Sequence, residues 1–145
     1  MIAYLIKTEP DDNGTLLVTC PAFPEVTTFA DPDPKQVTHH ALAAIQEAIA
    51  ARISDNDPLP PSATVRERGR HLYVKLPLLI ELKADLYKTM RETGTSRAEL
   101  ARRLNRHREQ IDRLFRLDHA SRVDQIEEAF QALHRNVDVR VLEDA

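Results

Sequence analysis

Cysteine is almost missing from this sequence: Cys20 stands alone among 145 residues. A single thiol excludes an internal disulfide and a Cys-based zinc cluster. No apolar run approaches the roughly 20 residues that a membrane-spanning helix needs. The opening stretch MIAYLIKTEPDD has no basic n-region, no long apolar core and no small-residue cleavage site, so it does not read as a secretory signal. Long-period repeats and low-complexity tracts are also absent. With 42% hydrophobic and 30% charged residues, the composition is that of a folded soluble protein and not of a disordered chain. The expected location is the cytoplasm, with no membrane contact.

Basic residues are scarce in the front half. Residues 1–62 hold 3 Lys/Arg against 9 Asp/Glu, whereas residues 63–145 hold 17 against 14. Residues 88–122 are locally basic, with 10 Lys/Arg to 5 Asp/Glu. An acidic front joined to a basic back points to two modules with different partners.

The front module reads as strands followed by a helix. Residues 2–8 (IAYLIKT) and 15–20 (TLLVTC) are aliphatic and β-branched. The EPDDNG between them is dense in turn formers. A third short strand is expected over 25–29. Asp33-Pro34 sets a capping residue before a proline at the first helical position, and Gln36 completes a capping box. Val37, Ala41, Ala44, Ile45, Ala48 and Ile49 then recur at helical spacing to about Ile53. Pro58, Pro60 and Pro61 in the loop 57–62 end that helix, because proline lacks the N–H that would continue it. Residues 71–77 form a fourth strand, placed at the edge of the sheet.

From Leu78 the pattern is helical. Leu79, Leu82, Leu86 and Met90 form one stripe, stopped by Gly94. Ser96 with Glu99 is a capping box for a second helix through Leu104. A third runs from about His107 to Phe115 or Arg116. Ser121 with Asp124 reads as the capping box of a fourth. The last stretch, VDVRVLEDA, alternates at period two and suits either a closing strand or a loose tail. The expected architecture is thus α+β. Residues 1–77 form a β-β-β-α-β domain and residues 78–145 an all-α domain.

Residues 97–114 match the positional demands of a helix-turn-helix, whose second helix lies in the DNA major groove. Counted from Arg97, position 4 is Leu100, position 8 Leu104, position 15 Ile111 and position 18 Leu114. Position 5, where the backbones approach closely, is Ala101. The turn at position 9 is Asn105, the next best left-handed residue after glycine. Position 10, usually apolar, is Arg106. The outward face offers Arg108, Glu109, Gln110, Asp112 and Arg113, flanked by Arg106 and His107. Arg and Gln can each bond a base edge in two places. Lys88, Arg97, Arg102 and Arg116 suit phosphate contacts.

Other candidates have plainer readings. His39 and His40 are neighbours on a helix and point apart, so they cannot chelate one metal. Cys20 has no base beside it in sequence and reads as a small buried thiol. Asp11, Asp12, Asp31 and Asp33 stand in turn and cap contexts, where Asp serves the backbone. No metal, cofactor or catalytic residue is expected.

Two stretches together resemble a known family. VTCPAFPEVTTFADPDPKQVTHHALAAIQEAIAARI in front and RAELARRLNRHREQIDRLFRLDHASRVDQIEEAFQAL behind are similar to the HicB antitoxins of HicA–HicB toxin–antitoxin modules, in the branch with a lambda-repressor-like helix-turn-helix. The resemblance implies a partial ribonuclease-H-like front domain without that fold's catalytic set. It also implies that this domain binds and blocks a small, RNA-cleaving HicA-like toxin, while the back domain binds operator DNA as a homodimer or homotetramer. On it the DNA-facing residues are expected to be Arg97, Arg106, His107, Arg108, Glu109, Gln110 and Arg113. The toxin-facing ones are expected around Phe23, Glu25, Phe29, Asp31 and Asp33. A different reading of the same halves is a free-standing DNA-binding regulator whose front domain senses a small ligand. A nuclease is the third.

Overall fold

The computed structural model describes residues 1–144. Five short strands come first: β1 (Ala3–Leu5), β2 (Lys7–Pro10), β3 (Leu16–Cys20) and β4 (Phe23–Ala30), with β5 (Tyr73–Lys75) following two helices, α1 (Pro34–Ser54) and α2 (Val65–Arg68). Four helices complete the chain: α3 (Leu78–Thr93), α4 (Arg97–Leu104), α5 (Arg108–Leu114) and α6 (Val123–Ala132). The class is mixed α+β with a helical second part, as the strand and helix periodicities predict.

The single strand expected over 2–8 divides at Ile6. β1 pairs antiparallel with β5, Tyr4 opposite Val74. β2 pairs with β3, Lys7 opposite Thr19, and β3 with β4. Between the two pairings the Ile6 N–H donates to the Leu72 carbonyl at 3.0 Å, outside either ladder. The turn between β2 and β3 needs a left-handed residue, and Gly14 supplies it at φ 74°.

α1 covers one face of the strands. Val37, Ala41, Ile45, Ala48, Ile49 and Ile53 are buried along it, and the small alanines let it lie close to β3 and β4. The expected capping box is only half formed: the Asp33 carboxylate accepts from the Lys35 N–H at 3.3 Å, with no bond from Gln36. Beneath α1, Tyr4 and Phe23 meet edge to face with centroids 4.9 Å apart. The Tyr4 hydroxyl donates to the Pro60 carbonyl at 3.0 Å. Ser62 and Ala63 bond the backbone of Ala3 at 2.9 and 2.8 Å, so the proline-rich loop is strapped along β1.

α3 is bonded to both halves of the chain. The Met1 ammonium pairs with Glu81 at 2.9 Å, the Tyr87 hydroxyl donates to the Asp57 carbonyl at 2.6 Å, and Arg91 donates to the Asn56 carbonyl at 2.6 Å. On its other side α3 packs against α6. Gly94 ends it at φ 63°, as expected of a left-handed cap. The Ser121–Asp124 reading is corrected. Arg122 is the residue capping α6, while Ser121 is buried and bonded to Lys83. Residues 137–144 carry no regular structure, so of the two readings of this stretch the loose tail is the one seen among the described residues.

Candidate functional site

α4 and α5 form a tight pair around a left-handed turn. The Ser96 hydroxyl accepts from the Glu99 N–H at 3.0 Å and starts α4. The Glu99 carboxylate turns along its own helix to Arg102 and Arg103 instead of closing the box. Leu100 and Ile111 are fully buried, with Ala101, Leu114 and Phe115 nearly so. Burying each of those two large side chains contributes about 1.5–3 kcal/mol, which holds two helices far too short to stand alone. Asn105 takes φ 51° and ψ 50°, and its side chain needs no β-branch to clash there. Arg106, at a position usually apolar, lies half-buried with its guanidinium on Glu128 of α6 at 3.0 Å. His107 begins α5, and its N–H donates to the Gln110 side-chain oxygen at 3.0 Å.

His107, Arg108, Glu109, Gln110 and Arg113 are exposed together on α5 and at its start. Arg97 is set back. Its guanidinium lies 4.6 Å over the Phe115 ring and donates to Asp112 at 3.1 Å. Arg108 donates to the same carboxylate oxygen, also at 3.1 Å. Burial pushes the Asp112 carboxyl up, and the two arginine hydrogen bonds outweigh it, leaving its pKa below the ordinary value. Arg113 has no ion pair among the described residues. Arg102 and Arg116 are exposed at either end of the pair, each bonded to a nearby carboxylate. The arrangement presents the cations Arg108 and Arg113, the amide of Gln110 and the carboxylate of Glu109 on one exposed helix face.

The residue that periodicity missed is Lys83. It is 0% exposed. Its ammonium donates to the carbonyls of Arg113 at 2.9 Å and Arg116 at 2.7 Å, and to the Ser121 hydroxyl at 2.8 Å. Three donors meet three acceptors, and two of those are carbonyls at the negative end of α5. Burial pushes the ammonium down to about 8, with Asp118 the opposing influence. A signal did exist in the sequence: Lys83 lies in step with Leu79, Leu86 and Met90, at spacings of four, three and four. A cation inside an apolar stripe marks a buried, fully bonded group.

The front residues separate. Phe23 departs from the expectation of a partner-facing side chain. It is 0% exposed, because β4 turns it under α1 against Tyr4, and Arg52 closes over its ring at 4.7 Å. Glu25 is half-exposed and bound in two places by Arg52, at 2.8 and 3.1 Å, so it pins β4 to α1. Those bonds hold its carboxyl below the usual range. Phe29 is 51% exposed on the sheet face away from α1, in line with Leu17 and Glu9. Asp31 and Asp33 are exposed at the end of that strand. Burial raises the Cys20 thiol. His39 and His40 stand with rings 5.8 Å apart and nearly perpendicular. No group of three or more potential metal ligands occurs among the described residues, and no helix is long and apolar enough to cross a membrane.

With this geometry in hand, similarity to known proteins locates the class. A family model described as "HicB_like antitoxin of bacterial toxin-antitoxin system" matches residues 3–85, from β1 into the first half of α3. The chain belongs to this HicB-like antitoxin family. Antitoxin HicB of Pseudomonas fluorescens (strain Pf0-1) is 31% identical over 137 residues, covering 94% of this chain and 92% of that protein. Antitoxin HicB 2 of Photorhabdus laumondii subsp. laumondii is 32% identical over 140 residues, with 94% of each covered. Antitoxin HicB of Escherichia coli (strain K12) is 25% identical over 134 residues, 92% and 95% respectively. These alignments continue past the family match and take in the α4–α5 pair.

Proposed function

We propose that this chain neutralises a HicA-like, mRNA-cleaving toxin with residues 1–77 and represses its own operon with residues 78–145. It acts in the cytoplasm as a homo-oligomer, without catalysis or cofactor. The observation that carries the DNA half is the α4–α5 pair: buried Leu100, Ala101, Ile111 and Leu114 inside, a left-handed Asn105 between, and Arg108, Glu109, Gln110 and Arg113 outside. Arg108 and Arg113 are suited to guanine edges in the major groove. Arg102 and Arg116 flank them as phosphate contacts, which position the helix without specifying sequence. Arg97 and Arg106 act indirectly, since each is half-buried and held by a carboxylate of another helix, whereas Arg108 meets Asp112 along its own helix and stays exposed.

The toxin half rests on charge and on an open sheet face. The front segment is rich in Asp and Glu and suits a basic, RNA-handling partner, for which opposite charge accelerates encounter. Phe29 supplies an exposed apolar anchor on that face, bordered by Asp31 and Asp33. The test is co-expression with the product of a neighbouring small basic reading frame. Restored growth and co-purification are expected, together with retention of DNA from upstream of the operon over random DNA. A front segment that neither binds nor protects against that product would refute the antitoxin mechanism.

A further inference from the structure

α5 has seven residues, too few to hold a direction through its own hydrogen bonds. Ile111, Leu114 and Phe115 anchor it in the core. Apolar burial of this kind is not directional. It sets the depth of a helix and leaves its roll loosely fixed. The end of α5 also lacks the usual stop. Phe115 caps it at φ −101°, where a glycine in the left-handed region would tie up the last carbonyls.

Lys83 takes over that task. Its ammonium holds the Arg113 carbonyl at 2.9 Å and the Arg116 carbonyl at 2.7 Å, one inside α5 and one just past it. The third proton goes to the Ser121 hydroxyl at 2.8 Å, just before α6. Ser121 Oγ lies in turn 3.3 Å from the Arg113 carbonyl and 3.1 Å from His119 Nδ1. Hydrogen bonds from a charged donor are strong and directional. Two of them on one helix end, from a side chain with no exposed surface, fix the roll of α5 relative to α3. α3 is itself tied to the front half through Tyr87 and Arg91, so the lysine stands on a fixed base.

The two backbone groups that Lys83 grips belong to residues whose side chains face DNA in the reading above. We infer that Lys83 is a positioning residue for operator recognition, setting the angle at which α5 presents Arg108, Gln110 and Arg113 to the major groove. The role rests on operator binding by α5. Its size follows from helix geometry. With side chains reaching roughly 5–6 Å from the axis, a roll of about 20° moves their tips by about 2 Å. A displacement of that size breaks a base-edge hydrogen bond. Contacts to phosphate carry no base pattern and survive it better. Loss of Lys83 therefore lowers preference for the operator before it lowers affinity for DNA in general.

The experiment uses the full chain at pH 7, with fluorescence anisotropy on duplex DNA from upstream of the operon and on random duplex of equal length. Amide hydrogen exchange of the free protein is followed beside it. Lys83→Met should bind upstream DNA roughly tenfold more weakly, the equivalent of one bidentate base contact, with random DNA unchanged. Exchange should quicken over residues 112–121 and stay constant in α4. Ser121→Ala should give a smaller loss of the same kind. Added to Lys83→Met it should cost nothing further, because both act through one network. Should Lys83→Met fail to fold, Ser121→Ala reads that network with the cation in place. Tyr87→Phe removes a hydrogen bond between α3 and the front half and controls for general loosening; it should keep the operator preference. Equal losses on both DNAs, an unchanged preference in folded Lys83→Met, or an equal fall in Tyr87→Phe would each overturn the positioning role. A wild-type chain with no preference for upstream DNA sinks the repressor reading instead, and the exchange rates over residues 112–121 then decide whether Lys83 holds α5.

Discussion

Replacing Lys83 by Met should remove a specific pH dependence of stability. The native ammonium is buried at 0% exposure and its pKa lies at about 8, against an ordinary value of 10.5. A depressed lysine pKa means that the unfolded chain holds its proton more tightly than the folded one. Between those two values the unfolded state therefore binds more protons, and stability rises with pH. The cost of burying the charge is fully present below about pH 8 and relieved as pH climbs toward 10.5. At about 1.36 kcal/mol per pKa unit, the whole window amounts to roughly 3 kcal/mol. Met keeps the length and apolar stem but cannot titrate. At pH 7 the variant leaves three acceptors without their donor, yet it also removes a buried charge, so the net change there is small. Tyr4, raised to about 12, and Cys20, also raised, push stability down at alkaline pH, but they are common to both proteins and cancel in the difference. Urea unfolding of both proteins at pH 7, 8, 9 and 10, with m-values compared, should show the wild type gaining on the variant by a few kcal/mol. Parallel stability curves across that range would show that Lys83 is not buried and charged as described.

Arg108→Ala should weaken operator binding by about 1–3 kcal/mol and relax specificity at one base position; equal losses on operator and random DNA, read by fluorescence anisotropy, would make it a phosphate contact instead. Leu100→Ala should destabilise the chain by about 2–5 kcal/mol in chemical denaturation, since its side chain is fully buried. Asn105→Val should cost about 1–2 kcal/mol because a β-branched residue resists the left-handed turn, and a neutral result would mean that the turn can change shape. Phe29→Ala should weaken toxin capture in a pull-down while leaving the melting temperature unchanged. Phe23→Ala should instead cost about 3–5 kcal/mol of stability, and the reverse pattern would exchange the roles given to the two rings.

Local chemistry made most of the elements legible. Periodic Val, Ala and Ile marked α1, Gly14 and Gly94 marked two reversals, and Ser96, Asn105 and the apolar positions between them marked α4 and α5. In each case the determining interactions lie within a few residues, so spacing alone carries them. Contacts distant in sequence were beyond its reach. Phe23 was expected to face a partner on the family resemblance, which says nothing about which face of β4 will meet α1. Arg52 and Glu25 are 27 residues apart, and their pairing turns an apparently free carboxylate into a structural one.

Ser121 shows the same limit most directly. By spacing it reads as a helix cap, but it is drawn inward by a lysine 38 positions earlier. What the sequence by itself determined is the order of strands and helices apart from the division at Ile6 and the short α2, the shape of the α4–α5 turn and the charge contrast between the halves, because turn, cap and burial preferences act locally. Only the tertiary structure decided which charged groups face water and which are consumed internally. Lys83 at the end of α5, Arg97 on Asp112 and Arg106 on Glu128 all depend on distances that no spacing rule encodes. An ion pair or a buried hydrogen bond exists only where packing has already brought its two members together.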